Sequence, residues 1–294
     1  MSEAPVGAVL SGAAARLARA GVPSPEADAR LLLAHAWDCE PRDLGMHALR
    51  GTAVPAEVAA RLDSALAARA RRVPLQHIVG TAPFRHLDLS VGPGVFTPRP
   101  ETELLVDAVL RAVSGNPAPR VLDLCTGSGA LALAIATEAP GSEVVAVEKD
   151  EQALRWARTN LTALGGALAA AGSRCTLVAA DVRDLPALGR FDVVVSNPPY
   201  VPADRMHADP EVARHDPEVA LYGGGDDGMD LPAVVIAVAA QVLRPGGALV
   251  LEHDETQGAA VRAAMAAHGL GAARTCPDYT GRDRCSTAAR PEES

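Results

Sequence analysis

The chain has 294 residues and a formal net charge of −9; that length can hold one large α/β domain and a smaller one, and the acidic balance argues against a phosphate backbone as the main partner, since nucleic-acid binders carry a basic field. Five cysteines (Cys39, Cys125, Cys175, Cys276, Cys285) are odd in number and scattered, with no C-x-x-C pair and no Cys/His cluster at zinc spacing, so reduced thiols and no metal centre are expected. The N-terminus has no basic segment followed by an apolar run, and no stretch of about 18 uncharged apolar residues occurs, so a cytoplasmic protein is expected.

Small apolar residues, with Arg16 and Arg19, alternate at helical spacing from Gly7 to Ala20, and Gly21 closes the segment. Ser24-Pro25-Glu26 opens a second helix with an N-cap serine, a first-turn proline and an acid at the positive end of the dipole; it is expected to bury Leu31, Leu32 and Trp37. A third helix is predicted from Pro55 to Arg72, with Val58, Leu62, Ala65 and Leu66 on one face. Its terminal Arg69, Arg71 and Arg72 read first as a solvated helix end and second as a patch for an acidic or ribonucleoprotein partner. Residues 1–73 thus form an N-terminal helical module, and 74–98 a linker in which Phe84 to Val91 alternates at period two like a β-hairpin.

A loop then leads into a helix over 101–113. From Arg120 strands and helices alternate: strands at 121–124, 144–147, 176–179, 191–195 and 248–251, helices at 129–137, 151–164, 232–243 and 256–268. This pattern predicts a doubly wound, mostly parallel Rossmann-like α/β sheet over 99–294, with Ala167 to Gly172 as a surface loop.

Three places in that domain carry chemistry. Asp123-Leu-Cys125-Thr126-Gly127-Ser128-Gly129 lies where the first strand hands over to a helix, where glycines let backbone approach a ligand. It has neither the G-x-G-x-x-G spacing of a dinucleotide fingerprint nor the Gly-Lys-Ser/Thr of a P-loop. Glu148 ends the next strand about 20 residues on, where an acid can accept from ribose hydroxyls; Asp181 ends the third and can hold an adenine amino group, with Val182 against the ring. Together they favour an adenosine-containing ligand. Finally, Phe191-Asp-Val-Val-Val-Ser-Asn197-Pro198-Pro199-Tyr200 is a β-branched run stopped by an asparagine and two prolines, which presents an amide and carbonyls rigidly at the strand's end.

The Gly-rich turn with Glu148 and Asn197-Pro198-Pro199-Tyr200 resembles the class I S-adenosylmethionine-dependent methyltransferases that act on planar amide or amine nitrogens. Pro74-Leu-Gln, Thr97-Pro-Arg99-Pro-Glu101-Thr-Glu103, Glu218-Val-Ala-Leu221, Gly224-Gly-Asp-Asp-Gly228, Pro245-Gly-Gly247 and Gly281-Arg-Asp-Arg284 resemble, in that order, the peptide-chain release factor N5-glutamine methyltransferases. The resemblance covers about residues 22–289. Cys125 stands where that family often has glycine, Val182 where some members have a larger stacking residue, and His253-Asp254 in place of a small or apolar pair.

What the resemblance implies is transfer of a methyl group from S-adenosylmethionine, leaving S-adenosylhomocysteine, to the glutamine of the Gly-Gly-Gln motif in class-I release factors. Asn197 supplies its side-chain oxygen and Pro198 its backbone carbonyl, Pro199 stiffens the turn, and Tyr200 and Phe96 pack on the flat amide. Cys125, Thr126, Gly127, Ser128, Gly129, Glu148, Asp181, Val182 and Asn197 contact the cofactor. No base is required before transfer, so His77, His86, His207 and His215 are not recruited; Arg99 either touches substrate or pairs with Glu101 or Glu103. A monomer that binds a translation factor, with the N-terminal helical module over 1–73 as the substrate-binding part and without membrane or direct nucleic-acid contact, is expected. Asn-Pro-Pro-Tyr also occurs in adenine-N6 enzymes of DNA and RNA, which leaves that activity and a non-enzymatic cofactor-dependent binder of a translation factor as the alternatives.

Overall fold

The computed structural model describes residues 4–205 and 210–292. Two compact units emerge: one runs up to Thr81 and includes the helix Pro210–His215, and the other holds Ala82 to Arg205 and everything from Asp216 on.

The first unit is helical. Helices Val6–Arg19, Pro25–Trp37 and Ala56–Ala70 lie where apolar periodicity places them, and two short ones, Asp43–Leu49 and Leu75–Val79, join them. Leu17, Leu32, Leu33, Leu44, Val58 and Leu62 form the core. Leu31 departs from expectation: it is 39 % exposed while Leu32 and Leu33 take the inward face. Trp37 stacks on His47 with ring centroids 4.7 Å apart.

Arg69 also departs from the solvated reading. It is 4 % exposed, donates from Nε to Asp28 Oδ2 at 2.6 Å and from Nη1 to the Val73 carbonyl at 3.0 Å, and pairs through Nη2 with Glu211 at 2.8 Å. Arg72 meets the same Glu211 at 2.8 Å. A guanidinium is buried here because its fork is met by carboxylates and a carbonyl.

In the second unit β1 (Thr81–Phe84) and β2 (Leu87–Ser90) form a two-stranded hairpin. Arg85 at its tip has φ 56°. After a 3₁₀ turn at Pro100–Thr102 and the helix Glu103–Ala112 come β3 (Arg120–Leu124), β4 (Glu143–Glu148), β5 (Arg174–Ala179), β6 (Phe191–Ser196) and β7 (Leu243–Glu252). All five run parallel. Two antiparallel strands not foreseen from the sequence, β8 (Gly271–Pro277) and β9 (Asp283–Ala289), complete a seven-stranded sheet in the order β5-β4-β3-β6-β7-β9-β8.

Successive residues of a strand point to opposite faces, so a sheet covered on both sides needs near-continuous apolar strands. Val121, Val193 and Val195 pack on one face with Leu131 and Ile135 of the helix Ala130–Glu138. Leu122, Leu124, Val194 and Leu249 pack on the other with Val235 and Ile236 of the helix Asp230–Val242 and Val261 of the helix Gly258–Ala267. Each such side chain, fully buried, contributes about 1.5–3 kcal/mol. Of Ala167 to Gly172, expected as a surface loop, residues 167–170 belong to a short helix, Gly165–Ala170, that buries Leu168; alanine's helix propensity outweighs the two leading glycines once a leucine anchors the turn.

The chain leaves β3 toward β4 on one side, and β6 pairs with β3 on the other. That reversal opens a crevice beyond the carboxyl ends of β3 and β6, where open α/β sheets bind ligands.

Candidate active site

Leu124 pairs with Ser196 at the ends of β3 and β6, and the Ser196 hydroxyl donates to the Leu124 carbonyl at 2.6 Å. The Gly-rich turn starting at Cys125 and the amide turn starting at Asn197 therefore leave the sheet side by side.

Cys125, Thr126, Gly127, Ser128 and Gly129 form the turn into the helix Ala130–Glu138. Cys125 has φ 61°, the left-handed region that costs a side-chain-bearing residue free energy and suits glycine. Gly127 also has positive φ, and a Cβ built there would meet open space. The Thr126 hydroxyl donates to Asp123 Oδ2 at 2.5 Å, and the Ala132 N–H reaches the same oxygen at 3.2 Å. Asp123 Oδ1 has no hydrogen-bond partner among the described residues although it is fully buried, and burial pushes that carboxyl up to about 7. Asn160, absent from the sequence reading, donates to the Ser128 carbonyl at 2.9 Å and the Ser90 carbonyl at 3.0 Å, which ties the turn to β2.

Glu148 ends β4 in reach of this turn. Its Oε2 accepts from Gly127 N–H and its Oε1 from the N–H groups of Lys149 and Asp150, all at 2.9 Å. A carboxylate offers about four acceptor positions, so one on Oε2 remains for a ligand hydroxyl. Asp181 follows β5, accepts from Arg183 N–H at 2.9 Å and has Lys149 at 3.8 Å; the Arg183 N–H foremost, with the Lys149 and Arg183 charges, holds it below the usual carboxylate range. Val182 is buried against Val147 and Leu124.

At the second turn, Asn197 Nδ2 donates to Thr102 Oγ1 at 3.2 Å, and among the described residues its Oδ1 takes no hydrogen bond. Among the described residues the Pro198 carbonyl takes no hydrogen bond. The rest of the turn is gripped by a second segment. The N–H groups of Tyr200 and Val201 donate to the Leu221 carbonyl at 3.1 and 2.8 Å, and Gly223 N–H donates to the Val201 carbonyl at 3.0 Å. Gln257 Nε2 donates to the carbonyls of Tyr200 and Asp227 at 2.8 and 2.7 Å, while its Oε1 accepts from Asp254 N–H at 2.9 Å. A Cβ on Gly228 would stand 2.2 Å from the Tyr200 oxygen, and one on Gly223 would stand 2.8 Å from the Pro199 oxygen.

Behind this turn the Tyr200 hydroxyl donates to Glu252 Oε1 at 3.2 Å. Glu252, at the end of β7, is 2 % exposed; burial pushes its carboxyl up to about 7, and its Oε2 has no hydrogen-bond partner among the described residues. Burial likewise raises the Tyr200 phenol. Arg284, near the start of β9, places its charge close to Tyr200 and Glu252 and has Asp278 at 3.5 Å. Phe96 lies under the Arg99 guanidinium, 5.2 Å from its ring centroid. Arg99 pairs with Asp216 at 3.0 Å, so its carboxylate partner is neither Glu101 nor Glu103. His253 is buried between the Asp254 carbonyl and the Ser286 hydroxyl at 2.8 and 2.9 Å.

Thr102, Glu252, Gln257 and Asn160 are the residues of this constellation that sequence reasoning passed over. Only Glu252 carried a signal, the same one that marked Glu148: an acid at the end of an apolar strand. His207 lies outside the described residues.

A Gly-rich turn and an amide-presenting turn at the switch point of a doubly wound sheet define a class I methyltransferase fold. A solved structure, the T. thermophilus 16S rRNA N2 G1207 methyltransferase in complex with AdoMet and guanosine, shares that fold with a TM-score of 0.51 at 24 % identity, over 71 % of this chain and 49 % of that one.

Sequence relatives narrow the class. The PrmC N-terminal domain family matches residues 8–80 and the Methyltransferase small domain family residues 86–214. Release factor glutamine methyltransferases of Bifidobacterium longum (45 % identity; 94 % of this chain, 96 % of the relative), Streptomyces coelicolor (44 %; 96 % and 97 %) and Mycobacterium tuberculosis strain H37Rv (42 %; 95 % and 89 %) match along nearly their whole lengths. The chain belongs to the release factor glutamine methyltransferase family. Among the described residues no helix is long and apolar enough to cross a membrane.

Proposed function

We propose that the chain transfers a methyl group from S-adenosylmethionine to the side-chain amide nitrogen of the glutamine in the Gly-Gly-Gln motif of class-I peptide-chain release factors. The observation that carries this reading is the pair of open acceptors on consecutive residues of the amide turn: with Asn197 Nδ2 bonded to Thr102, neither Asn197 Oδ1 nor the Pro198 carbonyl takes a hydrogen bond among the described residues. Two neighbouring acceptors match the two N–H groups of a primary amide.

The residues around the Gly-rich turn fit an adenosine-bearing ligand. Gly127 opens onto free space, Glu148 keeps one acceptor position, and Asp123 Oδ1 is buried without a partner among the described residues, an arrangement a bound amino or hydroxyl group would complete. Cys125, Thr126, Gly127, Ser128, Gly129, Glu148, Asp181 and Val182 would hold it, with Asn197 at the boundary with the substrate. When bound, S-adenosylmethionine supplies a methyl group activated by a sulfonium.

An amide nitrogen is a poor nucleophile because its lone pair is delocalised into the carbonyl. Asn197 Oδ1 and the Pro198 carbonyl take both N–H groups, which orients the nitrogen, and they favour the positive charge that develops on it. Phe96 and Tyr200 are assigned to the flat faces of the amide, and Pro199 keeps the turn rigid. The surplus proton leaves once the nitrogen has become acidic, so His77, His86 and His215 have no role as base.

One experiment tests this reading: the protein with methyl-labelled S-adenosylmethionine and, separately, a release factor, the same factor with its Gly-Gly-Gln glutamine changed to alanine, duplex DNA, and RNA. Label is expected in the intact factor alone. Labelled nucleic acid would support the adenine-N6 alternative, and no label anywhere would overturn the assignment. Action as a monomer in the cytoplasm belongs to the same proposal; light scattering and cell fractionation test those points.

A further inference from the structure

Three segments far apart in sequence are tied to one another around the amide turn. Thr102, which closes the 3₁₀ turn, accepts from Asn197 Nδ2 at 3.2 Å. The Leu221 carbonyl accepts from the N–H groups of Tyr200 and Val201 at 3.1 and 2.8 Å. A third tie joins these two flanking segments to each other: Arg99 Nη2 donates to Asp216 Oδ2 at 3.0 Å. Arg99 stands three residues before Thr102, and Asp216 five before Leu221.

Arg99 does more than close this triangle. Its guanidinium carbon lies 5.2 Å from the centroid of the Phe96 ring, inside the roughly 6 Å over which a cation is drawn to an aromatic face. The Asp216 side chain is 0 % exposed and that of Arg99 31 %. A carboxylate at that depth is costly without its cation, so the pair stays closed and holds the guanidinium in place. Val95 and Thr97, on either side of Phe96, are buried and hold its backbone. The ring itself is half-buried and rests on the guanidinium.

We propose that Arg99 is a positioning residue for the transfer: anchored by Asp216, its guanidinium backs the Phe96 ring and holds that ring against the substrate amide. This rests on the glutamine-methylating reading above, in which Phe96 covers a flat face of the amide. Arg99 then touches neither substrate nor cofactor and acts through the ring. The competing account makes the Arg99–Asp216 pair a tie between two segments and nothing more.

A double-mutant cycle separates the two. Label transfer to an intact release factor is measured for wild type, Phe96→Leu, Arg99→Met and the two changes combined, with active sites counted by S-adenosylhomocysteine titration. Phe96→Leu and Arg99→Met should each lower kcat per site by roughly 10- to 100-fold, the scale of a small misplacement of a reacting group, with S-adenosylhomocysteine affinity unchanged. The combined variant should match Phe96→Leu within about twofold, because a residue that acts through the ring has nothing left to act on. Arg99→Gln together with Asp216→Asn keeps a neutral hydrogen bond between the segments and leaves no unpaired charge at depth. It should lose as much kcat as Arg99→Met, and it carries the test, alone and in the Phe96→Leu background, if Arg99→Met does not fold. Wild-type kcat in Phe96→Leu or Arg99→Met, losses that multiply in the combined variant, or wild-type turnover in the Gln/Asn pair overturns the proposal. A wild-type protein that labels no release factor overturns the functional reading and this proposal with it, whereas an active wild type with any of those results removes the positioning role only.

Discussion

Gln257 holds the amide turn from behind with three hydrogen bonds, and replacing it with alanine removes all of them at once. Two carbonyls, those of Tyr200 and Asp227, lose their donor, and Asp254 N–H loses its acceptor. Gln257 is 5 % exposed, and each buried group left without a partner costs about 1–3 kcal/mol. The neighbouring cleft lined by Pro202, Asp227 and Gln257 lets water reach part of the gap, which favours the low end of that range, about 3 kcal/mol in all. At roughly 2–4 °C per kcal/mol for a unit of this size, the melting midpoint should fall by about 6–12 °C. Turnover should fall as well, because the Tyr200 carbonyl anchors the turn that presents Asn197 and Pro198. S-adenosylhomocysteine affinity should hold, since the Gly-rich turn follows β3 and makes no hydrogen bond to Gln257. Calorimetric melting, ligand titration and label transfer measure the three quantities. Gln257→Glu sharpens the test: it keeps the acceptor for Asp254 N–H but sets a carboxylate oxygen against two carbonyls, and should be at least as damaging. A midpoint within about 2 °C of wild type with unchanged turnover would refute the reasoning.

Asn197→Ala should cut kcat by roughly 10²- to 10³-fold while leaving S-adenosylhomocysteine binding intact, which turnover and titration calorimetry together check. Arg69→Met leaves Asp28 and Glu211 without their shared cation in the helical unit and should cost about 3–5 kcal/mol, read by urea unfolding. Asp123 and Glu252 are both raised to about 7 by burial, so the folded chain keeps protons that the unfolded chain releases near pH 4. Their contribution to stability is complete below that pH and fades as pH rises toward 7. Replacing Glu252 with Gln should flatten the decline of the unfolding midpoint between pH 5 and 7, and a wild-type midpoint that climbs over that interval would contradict the sign.

The parallel strands were legible because they are buried on both faces. Val121 to Leu124, Val144 to Val147 and Phe191 to Val195 have no polar face, apart from Asp123 and Asp192, that would disguise them as loops. β8 was not legible: Gly271-Ala-Ala-Arg-Thr-Cys-Pro277 has one β-branched residue and lies at a sheet edge, so its conformation depends on β9 rather than on its own composition. The short helix Asp43–Leu49 buries only Leu44, too little for a periodic pattern. At the site, the residues at strand ends could be read because the end of a β-branched run is visible in a sequence. Thr102 and Gln257 could not, because each stands 95 or 57 positions from its partner in the amide turn and only the folded register brings them there.

Gly223 and Gly228 leave no room for a Cβ against the oxygens of Pro199 and Tyr200. The loop that carries them therefore works as a casting mould for the amide turn, and the two must change together or not at all. Transplanting Asn197 to Tyr200 alone into another parallel sheet should yield a turn of the right sequence and the wrong shape. A working graft needs Gly223, Gly228 and Gln257 carried over with it.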